Sequence, residues 1–167
     1  MQKLGSLILD NNDVNNKLAR IAFQIIEEYH NEKELFLVGI SKNGFLLAKK
    51  INSLLQSNSY ETKVQLIELK INKKNPLKSE ISLDPEISLH NKKVILIDDV
   101  LNSGKTLMYA SSEFLEVPLV KLSTVVLVNR NHNRYPIKAD YEGMSLSTTL
   151  KEHINVVFGK EEGVYLS

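Results

Sequence analysis

Asp98 and Asp99 stand side by side at the end of an apolar run, "VILI" at 94–97, and a small polar segment, "NSGKT" at 102–106, follows almost at once. Carboxylates accept hydrogen bonds from sugar hydroxyls and ligate hard cations. A small polar segment that opens a helix does the opposite: its free N–H groups and the positive end of the helix dipole attract anions. A ribose 5-phosphate satisfies both halves, with its phosphate on Asn102, Ser103, Gly104, Lys105 and Thr106 and its diol on Asp98 and Asp99. The ending Gly-Lys-Thr also suggests a nucleotide-binding P-loop. That motif needs a glycine five residues before Gly104. Position 99 is Asp, so a carboxylate stands where the P-loop requires bare backbone, and the P-loop reading is set aside.

These residues need a rigid frame, and the hydrophobic pattern describes one. Val14, Leu18, Ile21, Ala22, Ile25 and Ile26 recur at helical spacing and predict a helix from about Asp13 to Tyr29, capped by Asn12 or Asp13. "ELFLVGI", 34–40, predicts a buried strand, "SKNG", 41–44, a turn, and Phe45, Leu46, Ile51, Leu54 and Leu55 the apolar side of a second helix. "TKVQLIELKI", 62–71, alternates like a strand. Residues 72–88 contain two prolines and no helical period, which predicts a long loop with at most a short hairpin; loops of that length are often lids. A strand at 92–98, a helix at about 104–115 and a strand at 121–128 follow. Residues 129–148 read as irregular, 154–159 as a last strand, and "GVYL" pairs beside it. Strands alternating with helices imply a mostly parallel sheet covered on both faces, in which ligands bind where strand carboxyl ends gather. "SKNG", "DDVLNSGKT" and "NRNHNR" all fall at such ends.

The 167 residues suit a single domain, spanning 1–167. The absence of cysteine excludes disulfides, thiolate metal sites and a cysteine nucleophile. A net charge of +1 gives no global field for nucleic acid, and no apolar run approaches the ~20 residues of a membrane helix. With no signal-peptide pattern at the start, the expected location is the cytoplasm and no membrane partner is expected. No His, Asp and Glu spacing suggests a zinc site.

"VILIDDVLNSGKT" resembles the thirteen-residue phosphoribosyl pyrophosphate (PRPP) motif of type I phosphoribosyltransferases, with Ser103 where Thr is usual. "LARIAFQIIEE", "LFLVGISKNGFLLAKKI" and "VVLVNRNHNRYPIKADYEGMSLST" extend the resemblance, in order, toward the bifunctional pyrimidine-operon regulators with uracil phosphoribosyltransferase activity. The resemblance implies an α/β type I phosphoribosyltransferase fold. Its central sheet would be mostly parallel and flanked by helices, with a small hood drawn mainly from 129–167 and a flexible lid at about 72–88. It implies transfer of a ribosyl 5-phosphate group from PRPP to a nucleobase, uracil first, with a 6-oxopurine as the base or a weakly catalytic PRPP- or nucleotide-sensing, RNA-binding regulator as alternatives.

By the same resemblance, Asp98 and Asp99 are catalytic and hold Mg²⁺, mainly through PRPP. Pyrophosphate falls to Ser41, Lys42, Asn43, Gly44, Lys73 and Arg134, with Lys70, Lys74 and Lys78 as further lid cations, and the base to Asn129 and Arg130. Relatives form homodimers or higher homo-oligomers. The chain departs from its relatives in places. Purine-type members have Asp at the position of Asn102, where it takes a proton from the base, and an amide cannot do so. Asn129 replaces an Asp or Lys and does not choose between bases. The regulators also bind RNA through a basic surface. Phe23 and Asn133 replace a His and an Arg of that surface here, which argues against RNA as a partner.

Overall fold

A computed structural model describes residues 5–167. The chain begins with β1 (Ser6–Leu9) and α1 (Asn11–Tyr29), then β2 (Glu34–Ile40) and α2 (Ser41–Ser57). β3 (Lys63–Lys70), β4 (Ser82–Asp84), β5 (Lys93–Leu101) and α3 (Lys105–Ser112) come next. A 3₁₀ turn (Glu113–Glu116), β6 (Lys121–Asn129), β7 (Tyr141–Ser145), β8 (Ile154–Val157) and β9 (Gly163–Leu166) complete it. Six strands form one sheet in the order β4-β3-β2-β5-β6-β7, parallel except for β4. The other three form an antiparallel sheet, β1-β9-β8.

α1 and α2 cover one face of the large sheet. Val14, Leu18, Ile21, Ala22, Ile25 and Tyr29 bury the stripe read from the sequence, with Ile26 packed at its margin. The cap is Asp10, not Asn12 or Asp13: Asp13 N–H donates to Asp10 Oδ1 at 2.8 Å and Asp10 N–H to Asp13 Oδ2 at 3.2 Å, a reciprocal capping box. α3 and the 3₁₀ turn cover the other face, where Leu107, Ala110 and Phe114 meet Phe36, Val38, Leu96 and Val126. Strands buried on both faces account for the unbroken apolar runs at 35–38 and 94–97.

Four expectations need correction. "SKNG" is not a free turn but the first turn of α2, which starts directly at Ser41. Leu46 lies on the outer side of that helix, while Gly44, Leu47, Ala48, Ile51 and Leu55 are buried. Residues 129–148 are not wholly irregular, because β7 pairs parallel to β6. Its Gly143 hides the strand pattern and is required by packing, since a Cβ there would lie 2.5 Å from the Leu127 carbonyl oxygen. β1, four residues long, is a strand that no local sequence pattern predicts. The small sheet takes one strand from the start of the chain and two from its end.

The chain adds β3 and then β4 on one side of β2 and returns to place β5 on the other, so the direction of strand progression reverses between β2 and β5. Open α/β sheets bind ligands outside such a point. The carboxyl ends of β2 and β5 place the start of α2 and the Asp98–Asp99 pair there.

Candidate active site

β5 runs through both aspartates to Leu101, so they project from strand backbone rather than from a loop. Asp98 is 2% exposed. Lys73, from the loop after β3, places its Nζ 2.7 Å from Asp98 Oδ1 and 3.3 Å from Asp99 Oδ1. Asn43, in the first turn of α2, donates to Asp99 Oδ2 at 2.8 Å and to the Val156 carbonyl of β8 at 3.1 Å. One carboxylate pair is thus tied to three separate elements.

The two carboxyls are driven apart electrostatically. Burial, then the neighbouring Asp99 charge, raise the Asp98 pKa to about 8, against the opposing pull of Lys73. Asp99 is also desolvated, but Lys73, the Asp98 interaction and the Asn43 amide outweigh this and hold its pKa below the ordinary carboxylate value. Lys73 loses solvation too, and the two carboxylates more than offset that, so its pKa rises. The ammonium occupies the position a cation would take. The pair offers only hard oxygen donors, and among the described residues no group of three His, Cys, Asp or Glu surrounds a metal position. A magnesium ion fits here only if water and substrate oxygens supply most of its six ligands, which is how Mg²⁺ binds phosphate substrates.

The phosphate half lies next to it. Asn102, Ser103, Gly104, Lys105 and Thr106 line a cavity of about 190 Å³ together with Lys73 and Asp98. Gly104 has φ +83°, and a Cβ there would lie 2.8 Å from Ile137 Cγ2, so glycine is required twice over. The N-cap residue Gly104 has no side chain to cap α3; Lys105 N–H donates to Ser103 Oγ at 3.3 Å, and the N–H groups of Thr106 and Leu107, both lining the cavity, have no intrahelical acceptor. Arg134 N–H and Tyr135 N–H donate to the Ser103 carbonyl at 2.8 and 3.1 Å, and this holds the loop. A larger cavity of about 480 Å³ lies beyond β4, but Glu80, Glu86, Glu113 and Glu116 line it, a charge that repels phosphate.

The remaining sequence candidates fall as follows. Ser41 takes φ +50°, a left-handed conformation that costs a non-glycine residue about 1–3 kcal/mol and marks the entry to α2. Gly44 faces β5: a Cβ would sit 2.5 Å from the Ile97 carbonyl, so this glycine sets helix-to-strand distance rather than a tight turn. Lys42 and Arg134 are exposed at the rim. Of the other lysines expected at a lid, Lys70 ends β3 and pairs with Asp84 of β4, Lys74 accepts Lys105 Nζ on its carbonyl at 3.5 Å, and Lys78 is exposed. Asn129 donates to Glu142 Oε2 at 2.8 Å and accepts from Asn131 N–H at 2.9 Å. Arg130, 4% exposed, reaches Asn102, Thr148 and Thr149. Thr148, Thr149 and Glu142 were not singled out from the sequence. The available signal was the arginine itself, since a buried guanidinium demands acceptors.

Residues 6–162 match the phosphoribosyl transferase domain model. The chain is 32% identical over 162 residues to the bifunctional protein PyrR of Clostridium kluyveri, covering 92% of this chain and 90% of that one. It is 31% identical to the PyrR protein of Haemophilus ducreyi, covering 96% and 94%. Among solved structures, the hypoxanthine phosphoribosyltransferase of Trypanosoma cruzi superposes with a TM-score of 0.79 at 15% identity, over 96% of this chain and 95% of that one. A hypoxanthine-guanine enzyme from Bacillus anthracis gives 0.73 at 18%, over 87% and 84%. An acidic pair on a strand end, a glycine-bearing anion loop and the matched domain agree: the chain belongs to the phosphoribosyltransferase family, is similar in sequence to PyrR proteins, and has the type I fold.

Proposed function

We propose that this phosphoribosyltransferase moves the ribosyl 5-phosphate group of PRPP to uracil, giving UMP and pyrophosphate. The observation that carries the reading is the cavity that Asp98 and Lys73 share with the 102–106 loop, with Asp99 beside it on the same lysine. The 5-phosphate belongs in the loop, on the N–H groups that open α3, and the ribose diol on the carboxylates. Pyrophosphate then lies toward the first turn of α2, with Lys73 moving from the carboxylates onto the leaving oxygens. As uracil N1 bonds to the anomeric carbon, the bond from that carbon to pyrophosphate breaks and its electron pair leaves with the pyrophosphate. The N1 proton of uracil passes to the departing pyrophosphate or to water.

Little covalent work falls to the protein, so positioning and charge stabilisation dominate. Asp98 and Asp99 fit a magnesium ion shared with PRPP; when bound, it neutralises charge on the leaving group. Uracil is favoured over an oxopurine by the sequence similarity to PyrR proteins and by the neutral amide at Asn102. The reaction is that of a cytoplasmic enzyme, and no helix among the described residues is long and apolar enough to cross a membrane.

Pyrophosphate release from Mg–PRPP, measured with uracil, hypoxanthine, guanine and xanthine, tests this. Release with uracil, abolished in Asp99→Asn, supports the reading. Release with a purine alone replaces the base. No release with any of the four overturns the assignment.

A further inference from the structure

Arg130 is nearly buried, and its guanidinium joins two loops. Nη1 donates to Asn102 Oδ1 at 2.9 Å, Nε to Thr148 Oγ1 at 2.9 Å and Nη2 to the Thr149 carbonyl at 3.1 Å. Its own backbone N–H donates to the Leu101 carbonyl at 2.9 Å, which anchors Arg130 one residue from Asn102 across the β5–β6 boundary. Thr149 N–H is held in turn by Glu152 Oε2 at 2.7 Å. The clamp is therefore fixed at both ends.

A guanidinium has donors and no acceptor. The amide of Asn102 must turn its carbonyl oxygen to Arg130 and its NH₂ group away. Asn102 is exposed and lines the cavity together with Lys73, Asp98 and residues 103–107, and among the described residues no acceptor meets its Nδ2. An asparagine is ordinarily free to flip and so reads either polarity. Here the choice has been removed.

We propose that Arg130 is a positioning residue that locks Asn102 with its N–H donors toward the ligand, so that this point of the site selects a base with a carbonyl oxygen over one with an N–H. The inference rests on the transferase reading and deepens it. Uracil N1 is flanked by the C2 carbonyl, an acceptor. A purine reacting through one imidazole nitrogen carries a proton on the other, and donor would then face donor. An unmatched polar contact in a site built for hydrogen bonding costs far more than a missing methylene.

The test is the ratio of kcat/KM for uracil to that for hypoxanthine, because any change in PRPP binding cancels between the two bases. Asn102→Asp keeps a partner for Arg130 but presents an acceptor to the ligand. The expected result is a fall in the ratio of about 10- to 100-fold, with the folded state intact. Arg130→Met frees the amide to flip and lowers the ratio less. Arg130→Lys retains a donor toward Oδ1 and restores most of it. Should Arg130→Met fail to fold, Asn102→Asp carries the test alone. A ratio unchanged in Asn102→Asp overturns the proposal, whatever happens to total rate.

Wild-type protein that binds PRPP yet turns over neither base defeats the transferase reading for these substrates. The polarity is then read by calorimetry from the affinity for UMP relative to IMP. A loss of UMP preference in Asn102→Asp sustains the proposal, and equal changes for both nucleotides overturn it.

Discussion

The two ends of the large sheet carry the same ingredients and reach opposite results. At the amino ends of the strands, Lys93 pairs with Glu32 at 2.5 Å, and Lys92 and Lys63 with Glu34 at 2.9 and 3.9 Å. Three lysines there serve two carboxylates, and all remain partly open to water. The Lys92 hydrogen bond, helped by Gln65, pulls the Glu34 pKa below its ordinary value. At the carboxyl ends, one lysine serves two carboxylates that are 2% and 13% exposed. Burial pushes Asp98 up to about 8 there despite a lysine in contact. The lesson concerns count and solvation rather than residue type. A matched pair in water is quiet, whereas an acidic excess out of water is left seeking a cation or hydroxyl donors.

The largest expected difference between the ends is catalytic. Asp99→Asn should reduce base-dependent pyrophosphate release by about 100- to 1,000-fold, the range typical of losing a preorganised charge contact, whereas Glu34→Gln should leave it within about twofold. A comparable loss from both would erase the contrast. Next in size is Gly44→Ala. Its new methyl meets the Ile97 carbonyl at 2.5 Å and must push α2, and Asn43 with it, off β5. Overpacking of this kind costs about 1–3 kcal/mol, read as a lower denaturation midpoint, and PRPP affinity should fall with it.

Stability in the absence of ligand should respond to pH with opposite signs through Asp98 at one end and Glu34 at the other. Asp98, raised to about 8, keeps a proton in the folded state that the unfolded chain loses near pH 4. Its contribution to stability therefore declines as pH rises from about 4 to 8. Glu34 is lowered, so its contribution is present above its ordinary pKa and lost as pH falls below it. Melting temperatures from pH 3 to 9 for wild type, Asp98→Asn and Glu34→Gln separate the two. Loss of the neutral-range decline in Asp98→Asn alone is the expected outcome. The smallest effect should come from Glu34→Gln at pH 7, with a stability change of about 0–1 kcal/mol, since exposed pairs contribute little.

How much of this was legible in advance depended on whether a feature is contiguous. The buried strands, the helical stripe of α1 and the carboxylate-plus-anion-loop motif are all local patterns, and the structure contains each of them. Features missed or misread share another trait. β1 and β7 are short strands whose register exists only through a partner. Gly44 looked like a turn residue because nothing nearby in sequence reveals the strand it leans on. The Asn43 bond to Asp99 spans 56 residues and the Arg130 bond to Asn102 spans 28.

The sequence by itself determined the alternation of strands and helices, the acidic pair at a strand end and the glycine-bearing loop that opens a helix. These depend on side-chain periodicity and backbone chemistry over a few residues. Only the tertiary structure decided that Lys73 would be the lysine shared by Asp98 and Asp99, that of two desolvated carboxyls Asp98 would be raised while Asp99 is held low by its partners, and that Arg130 would fix the face Asn102 shows to a ligand. Desolvation and hydrogen-bond polarity depend on every atom that closes around a group, and those atoms come from distant parts of the chain.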